Sequence, residues 1–185
     1  METTKYTAEI VKELQRSVSL ISEEETKKMA DMILASRKVF LAGAGRSGLV
    51  GRAFAMRLMQ MGIAAYVVGE TVTPGIAKGD VLIIGSGSGE TKSLITMAEK
   101  AKSIEASLIA VTIAPESSIG MLADHTVKLP GSPKDRANGS YATIQPMASL
   151  FEQTLLIFYD AVILLMMEKQ GLDTVGMYGN HANLE

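Results

Sequence analysis

The sequence predicts an α/β fold, a parallel sheet covered by helices, on three observations. Apolar runs alternate with helix-like segments between residues 38 and 129. Runs such as Val81-Leu82-Ile83-Ile84 are apolar at every position, the pattern of strands buried on both faces. Two of these runs lead into glycine- and serine-rich loops, Gly43-Ala44-Gly45-Arg46-Ser47-Gly48 and Ser86-Gly87-Ser88-Gly89-Glu90-Thr91, and both loops continue into helix-like sequence.

The elements follow in order. Ile10, Val11, Leu14, Val18 and Ile21 recur at helical spacing over residues 4–20, and Ser22 with Glu25 is a capping-box signal for a second helix to about Ser36. Strands are expected at 38–42, 64–68, 80–84, 107–113 and 125–129, with helices at 47–61, 91–103 and 118–123. Residues 69–79 contain Pro74 and Gly75, read as turn and are too short for a good crossover helix. Residues 130–146 break the pattern with Pro130, Gly131, Ser132, Pro133, Asn138, Gly139 and Pro146, and loops of that length are usually functional or disordered. A long helix over 147–170 follows, apolar on nearly every face between Leu155 and Met167, which predicts burial on all sides and contacts between subunits. A small, polar tail spans 171–185, and the whole chain, 1–185, is expected to form one domain.

Composition narrows the function. With 18 basic and 20 acidic residues the net charge is −2, so there is no electrostatic footprint for nucleic acid or an anionic membrane. The absence of Cys excludes disulfides, thiol catalysis and Cys-based zinc sites. The first 22 residues are polar and mixed in charge, unlike a signal peptide, and the apolar stretch 155–167 is interrupted by Asp160 and shorter than the roughly 20 residues of a membrane span. A cytoplasmic protein is expected.

The two loops read as a phosphate cradle. Glycines allow close backbone approach, helix-start N–H groups favour an anion, and the hydroxyls of Ser86, Ser88 and Thr91 add donors. Gly43 to Gly48 also satisfies the G-x-G-x-x-G dinucleotide pattern, with Glu70 placed as a ribose acid, but the chain has no room for a second mononucleotide half and a substrate domain. In a flavodoxin-like order the ligand crevice lies between strands one and three, where both loops fall.

Glu152 admits two readings, a capping-box partner of Ser149 or a catalytic carboxylate after the long loop. His181 is either a polar terminus or a functional group, while His125 reads as a packing or surface residue in the last strand and Glu23-Glu24-Glu25 as a solvated helix start. Of Arg46, Arg52 and Arg57, only Arg46 lies inside a loop motif. The twelve Met residues read as core filler. No His/Asp/Glu cluster has metal-ligand spacing, so no metal is expected.

Ser86-Gly87-Ser88-Gly89-Glu90-Thr91 matches the Ser-x-Ser-Gly-x-Thr signature of the sugar isomerase (SIS) family, and the chain resembles in particular its 6-phospho-3-hexuloisomerase branch. That resemblance runs over essentially all 185 residues, through Gly45 to Gly48, Phe54-Ala55-Met56-Arg57-Leu58-Met59, Val68 to Thr71, Phe151-Glu152 and the ending His181-Ala182-Asn183-Leu184. It implies a five-stranded parallel sheet between helices, a homotetramer, no cofactor, and interconversion of D-arabino-hex-3-ulose 6-phosphate with D-fructose 6-phosphate in formaldehyde assimilation by the ribulose monophosphate pathway. It further implies substrate contacts at Ser47 and at Ser86, Gly87, Ser88, Gly89, Glu90 and Thr91, with Glu152 as proton acceptor. In that chemistry Arg46 or the first loop's N–H groups would stabilise enediolate oxygens, and His181 is a candidate acid for ring opening. The alternatives are an SIS isomerase of pentose or heptose phosphates, or a sensing SIS module, although regulators of that kind carry an added helix-turn-helix domain and only 37 residues precede the first strand.

Overall fold

Five parallel strands form one sheet in the order β2-β1-β3-β4-β5, the flavodoxin-like order with its switch point between β1 and β3. The computed structural model describes residues 2–132 and 142–184, so most of the Pro/Gly-rich loop, with Pro133, Asn138 and Gly139, lies outside the described residues. The strands are β1 (Val39–Gly43), β2 (Ala65–Val67), β3 (Val81–Gly85), β4 (Ser107–Thr112) and β5 (His125–Lys128), and the helices are α1 (Thr3–Val18), α2 (Glu23–Ala35), α3 (Gly45–Gln60), α4 (Lys92–Ser103), α5 (Ser118–Leu122), α6 (Ser149–Gln170) and α7 (Thr174–Tyr178). Gly43 stands opposite Gly85 in the β1–β3 register, so both loops leave the sheet from adjacent positions.

Each face of the sheet has its own core. Val39, Leu41, Val81, Ile83, Ile109 and Val111 pack beneath α2, α3 and α6, while Phe40, Leu82, Ile84, Leu108 and Ala110 pack beneath α4 and α5. Alternation along strands buried on both faces produces this division. The Ser22 hydroxyl accepts the Glu25 N–H, so the expected cap at α2 forms. Glu25 departs from a solvated helix start. Its Oε2 accepts the Lys128 N–H at 2.9 Å and its carbonyl oxygen meets His125 Nε2 at 2.8 Å, which ties α2 to β5.

Between β2 and β3 the chain crosses without a helix. Thr73 Oγ1 donates to the Val67 carbonyl at 2.5 Å, Lys38 Nζ to the Gly75 carbonyl at 2.9 Å, and Asp80 Oδ2 accepts the Ala77 N–H at 2.8 Å. These bonds satisfy turn backbone that a helix would otherwise satisfy internally.

Helix α6 is long and apolar enough to cross a membrane by length and composition alone, but here it packs as a core helix. Phe151, Leu155, Phe158, Tyr159, Val162 and Met166 are all buried, each contributing about 1.5–3 kcal/mol in transfer terms. Tyr159 stacks on Phe54 of α3 with centroids 4.1 Å apart. The helix approaches β3 closely at Gly85, where a Cβ would come within 3.1 Å of Tyr159 Oη and 3.2 Å of Leu155 Cδ2. Burial within the chain covers only part of the circumference, since Leu156, Ile157 and Leu164 remain 41%, 41% and 66% exposed. Gly171 at φ +64° ends the helix, and the short α7 forms inside the segment read as a small, polar tail.

Candidate active site

The loops after β1 and β3 and the start of α6 enclose a cavity of about 340 Å³. Gly45, Arg46 and Ser47 line it from the first loop, Ser86, Gly87, Ser88 and Thr91 from the second, and Glu152 from α6. Its size is within the range typical of small-molecule pockets, about 300–1,000 Å³.

The first loop's glycines allow a tight strand-to-helix turn. A Cβ on Gly48 would lie 2.6 Å from the Gly43 carbonyl oxygen, and Gly45 takes φ +57°. Helix α3 then begins at Ala44, which supplies no side-chain cap, and its first turn carries no acid. Helix α4 begins the same way at Thr91, with neither a side-chain cap bond nor an acid in its first turn. Two helix starts with unsatisfied N–H groups therefore border one cavity, an arrangement suited to an anion.

The second loop is internally braced. Ser86, 5% exposed, accepts the Gly89 N–H through Oγ at 3.2 Å, and Ser88 Oγ accepts the Glu90 N–H at 3.3 Å. Gly89 sits at φ +64°, where a Cβ would lie 1.8 Å from Ser117 Oγ. Gly89 and Glu90 stand behind the cavity wall. Both Glu90 carboxylate oxygens accept from Ser118, one from its N–H and one from its hydroxyl, each at 2.7 Å, and these bonds hold the carboxyl below the ordinary carboxylate range. The Glu90 side chain thus fastens the loop to α5.

Glu152 faces the cavity from the first turn of α6, with a side chain 10% exposed. Its Oε2 lies 3.1 Å from Arg46 Nε, and Arg46 Nη1 donates to Ser149 Oγ at 3.0 Å. The capping box with Ser149 does not form. Ala148 is the cap residue and Ser149 already lies in the helix, so its hydroxyl is turned to Arg46. One cation thus spans the first loop and the carboxylate.

His181 lies elsewhere in the chain. It borders a second cavity with Arg57, Gln60 and Tyr178, its ring 6.0 Å from that of Tyr178 and its Nδ1 2.7 Å from the Ala182 carbonyl oxygen. Asn180 Nδ2 donates to the Gln60 carbonyl at 3.0 Å, which anchors the tail at the C-terminal end of α3. Arg46 is at the other end of that helix, roughly 21 Å away at 1.5 Å per residue. Arg52 pairs with Glu70 at 2.6 Å and Arg57 donates to Gln60 at 2.8 Å, so neither faces the first cavity.

Several lining residues escaped the sequence reading. Leu94, Ile113 and Ala148 complete the wall. Thr112 braces the second loop by donating to the Gly87 carbonyl at 3.1 Å. The available signal was their place, since Thr112 ends β4, the strand beside β3, and crevices in such sheets form at carboxyl ends.

Residues 32–157 match the SIS domain model. A 3-hexulose-6-phosphate isomerase of Bacillus subtilis is 63% identical over 185 residues, covering all of both chains. One from Mycobacterium gastri is 39% identical over 94% of this chain and 86% of its own. Among solved structures, a Methanococcus jannaschii protein for which a 3-hexulose-6-phosphate isomerase function was inferred superposes with a TM-score of 0.83 at 34% identity, covering 98% of this chain and 99% of that one.

Proposed function

We infer the chemistry of the crevice from one premise, that the chain belongs to the SIS domain family and, within it, to the 3-hexulose-6-phosphate isomerases. The reaction interconverts D-arabino-hex-3-ulose 6-phosphate and D-fructose 6-phosphate, a step of formaldehyde fixation by the ribulose monophosphate pathway. Moving the carbonyl from C3 to C2 requires loss of the C2 proton to a base, an enediolate, transfer of the O2 hydroxyl proton to O3, and return of a proton to C3.

One observation carries the assignment of roles: a buried carboxylate, Glu152, shares a cavity with the hydroxyl-rich loop. In this reading the helix starts at Gly45 and Thr91, with Ser47, Ser86, Ser88 and Thr91, hold the phosphate. Glu152 then moves the proton between C2 and C3, while Arg46 stabilises negative charge on the enediolate oxygens. Gly87 and Gly89 give the loop its shape, and Glu90 braces it through Ser118. Assay of purified protein with 3-hexulose 6-phosphate, arabinose 5-phosphate and sedoheptulose 7-phosphate tests the substrate. Turnover confined to the hexulose is expected, and preference for either other sugar would displace this reading.

The working form is an oligomer, a homotetramer by family likeness, in the cytoplasm. Supporting it, Leu156, Ile157 and Leu164 leave an apolar stripe on α6 uncovered. Leu156→Lys should therefore shift wild-type assemblies to smaller species in analytical ultracentrifugation, whereas a monomeric wild type would contradict the idea. Ile163, 5% exposed inside the chain, is unsuitable for that test because a Lys there would strike the core.

Assembly also bears on His181. Helices α3 and α6 both start at the crevice, so an antiparallel two-fold pairing of this face, about an axis perpendicular to the helices, would bring one copy's tail beside the other copy's crevice. There His181 would act as an acid in opening the ring of fructose 6-phosphate. Truncation after Tyr178 is expected to slow ring opening in pre-steady-state measurements. Undiminished single-turnover rates for ring opening and proton transfer would reduce the tail to a terminus.

A further inference from the structure

The backbone just before α6 is held by a helix that contributes nothing to the sheet. Glu13, in the middle of α1 and 3% exposed, accepts three hydrogen bonds from residues 143–145. Oε2 takes Thr143 Oγ1 at 2.7 Å and Gln145 Nε2 at 2.9 Å, and Oε1 takes the Ile144 N–H at 2.8 Å. Burial pulls this carboxyl upward, but those three bonds and the nearby Arg16 charge outweigh it and hold the group below its ordinary range. It is therefore an ionised acceptor at neutral pH. A buried charge is a costly way to pack two helices, and an apolar side chain would pack α1 at least as well, so the three bonds indicate a demand for placement.

That demand lies a few residues downstream. Met147 adopts φ +57°, a conformation L side chains rarely take, and the Pro146 carbonyl accepts the Ser149 N–H at 3.2 Å as α6 begins. Such a turn persists only where its surroundings over-determine it. We propose that Glu13 is a positioning residue for Glu152: by pinning residues 143–145 it fixes where α6 starts, and so where Ser149 and Glu152 stand relative to Arg46. The proposal rests on Glu152 being the base. Glu13 lies outside the matched SIS segment, residues 32–157.

The test compares turnover with phosphate affinity in the full-length protein. Glu13→Ala should lower kcat about tenfold or more, because misplacing a reacting group by about 1 Å costs up to about 10²-fold. The inhibition constant of inorganic phosphate should stay within about twofold, since the phosphate loop on β3 and α4 makes no contact with Glu13. Should that variant fail to fold, Glu13→Gln keeps an acceptor for the Ile144 N–H while opposing Gln145 Nε2, and an intermediate kcat with unchanged phosphate affinity is expected. In a Glu152→Gln background, Glu13→Ala should add no further loss. An unchanged kcat, a parallel loss of phosphate affinity, or an additive loss in the double variant would each overturn the proposal. Wild-type turnover in Glu152→Gln alone would instead overturn the base assignment.

Discussion

Glu152→Gln should lose turnover by about 10²–10⁴-fold, the range typical of removing one positioned base, while remaining folded. The amide keeps the shape of the side chain and an oxygen for Arg46, so a purely structural role would leave turnover high. Stability should change little. The ion pair with a half-exposed arginine is worth at most about 1 kcal/mol, and no capping bond from Ser149 is at stake because that hydroxyl is taken by Arg46. Steady-state kinetics beside thermal unfolding separates the outcomes. Near-wild-type turnover in a folded variant would end the catalytic assignment, and a large stability loss with turnover intact would restore the structural one.

Ser86→Ala combined with Thr91→Ala should weaken inorganic phosphate and substrate together, by about 100-fold or more. Hydrogen bonds to a charged group contribute about 1.5–3 kcal/mol each, and about 1.4 kcal/mol is a factor of ten in affinity. Ser86 also braces Gly89, so the loss includes some disorder of the loop. Calorimetry with inorganic phosphate measures it directly. Unchanged phosphate affinity would move the cradle away from this loop.

Much of the architecture was legible because it depends on local pattern. Strands buried on both faces leave unbroken apolar runs, and the two Gly/Ser loops marked the ends of β1 and β3, so the switch-point rule sufficed to bring them together. Boundaries and partners were less legible. Ser149 and Glu152 have the spacing of a capping box, but the helix starts one residue earlier than that reading needs, and a guanidinium from 103 positions away takes the serine. Glu13 carries no signal of its own in the sequence. Its three partners lie about 130 positions along the chain, and no periodicity encodes a contact of that kind. Helix α7 is a single short turn capped by Asp173, too brief for a periodic signal.

The crossing of β1 and α3 limits how the crevice can be altered. Carbon added at Gly43 or Gly48 collides with backbone, and the dihedral of Gly45 disfavours any L side chain. Half of the six positions in that loop are thereby closed to chemical variation. Retuning the enzyme toward a sugar of different length or stereochemistry through this loop leaves Ala44, Arg46 and Ser47 as the adjustable positions. A mutagenesis library there samples three sites, few enough to cover completely. The same closure explains why a glycine pattern shared with dinucleotide folds is a poor guide to ligand identity: it records how closely a strand and a helix pass, whereas the residues between the glycines meet the ligand.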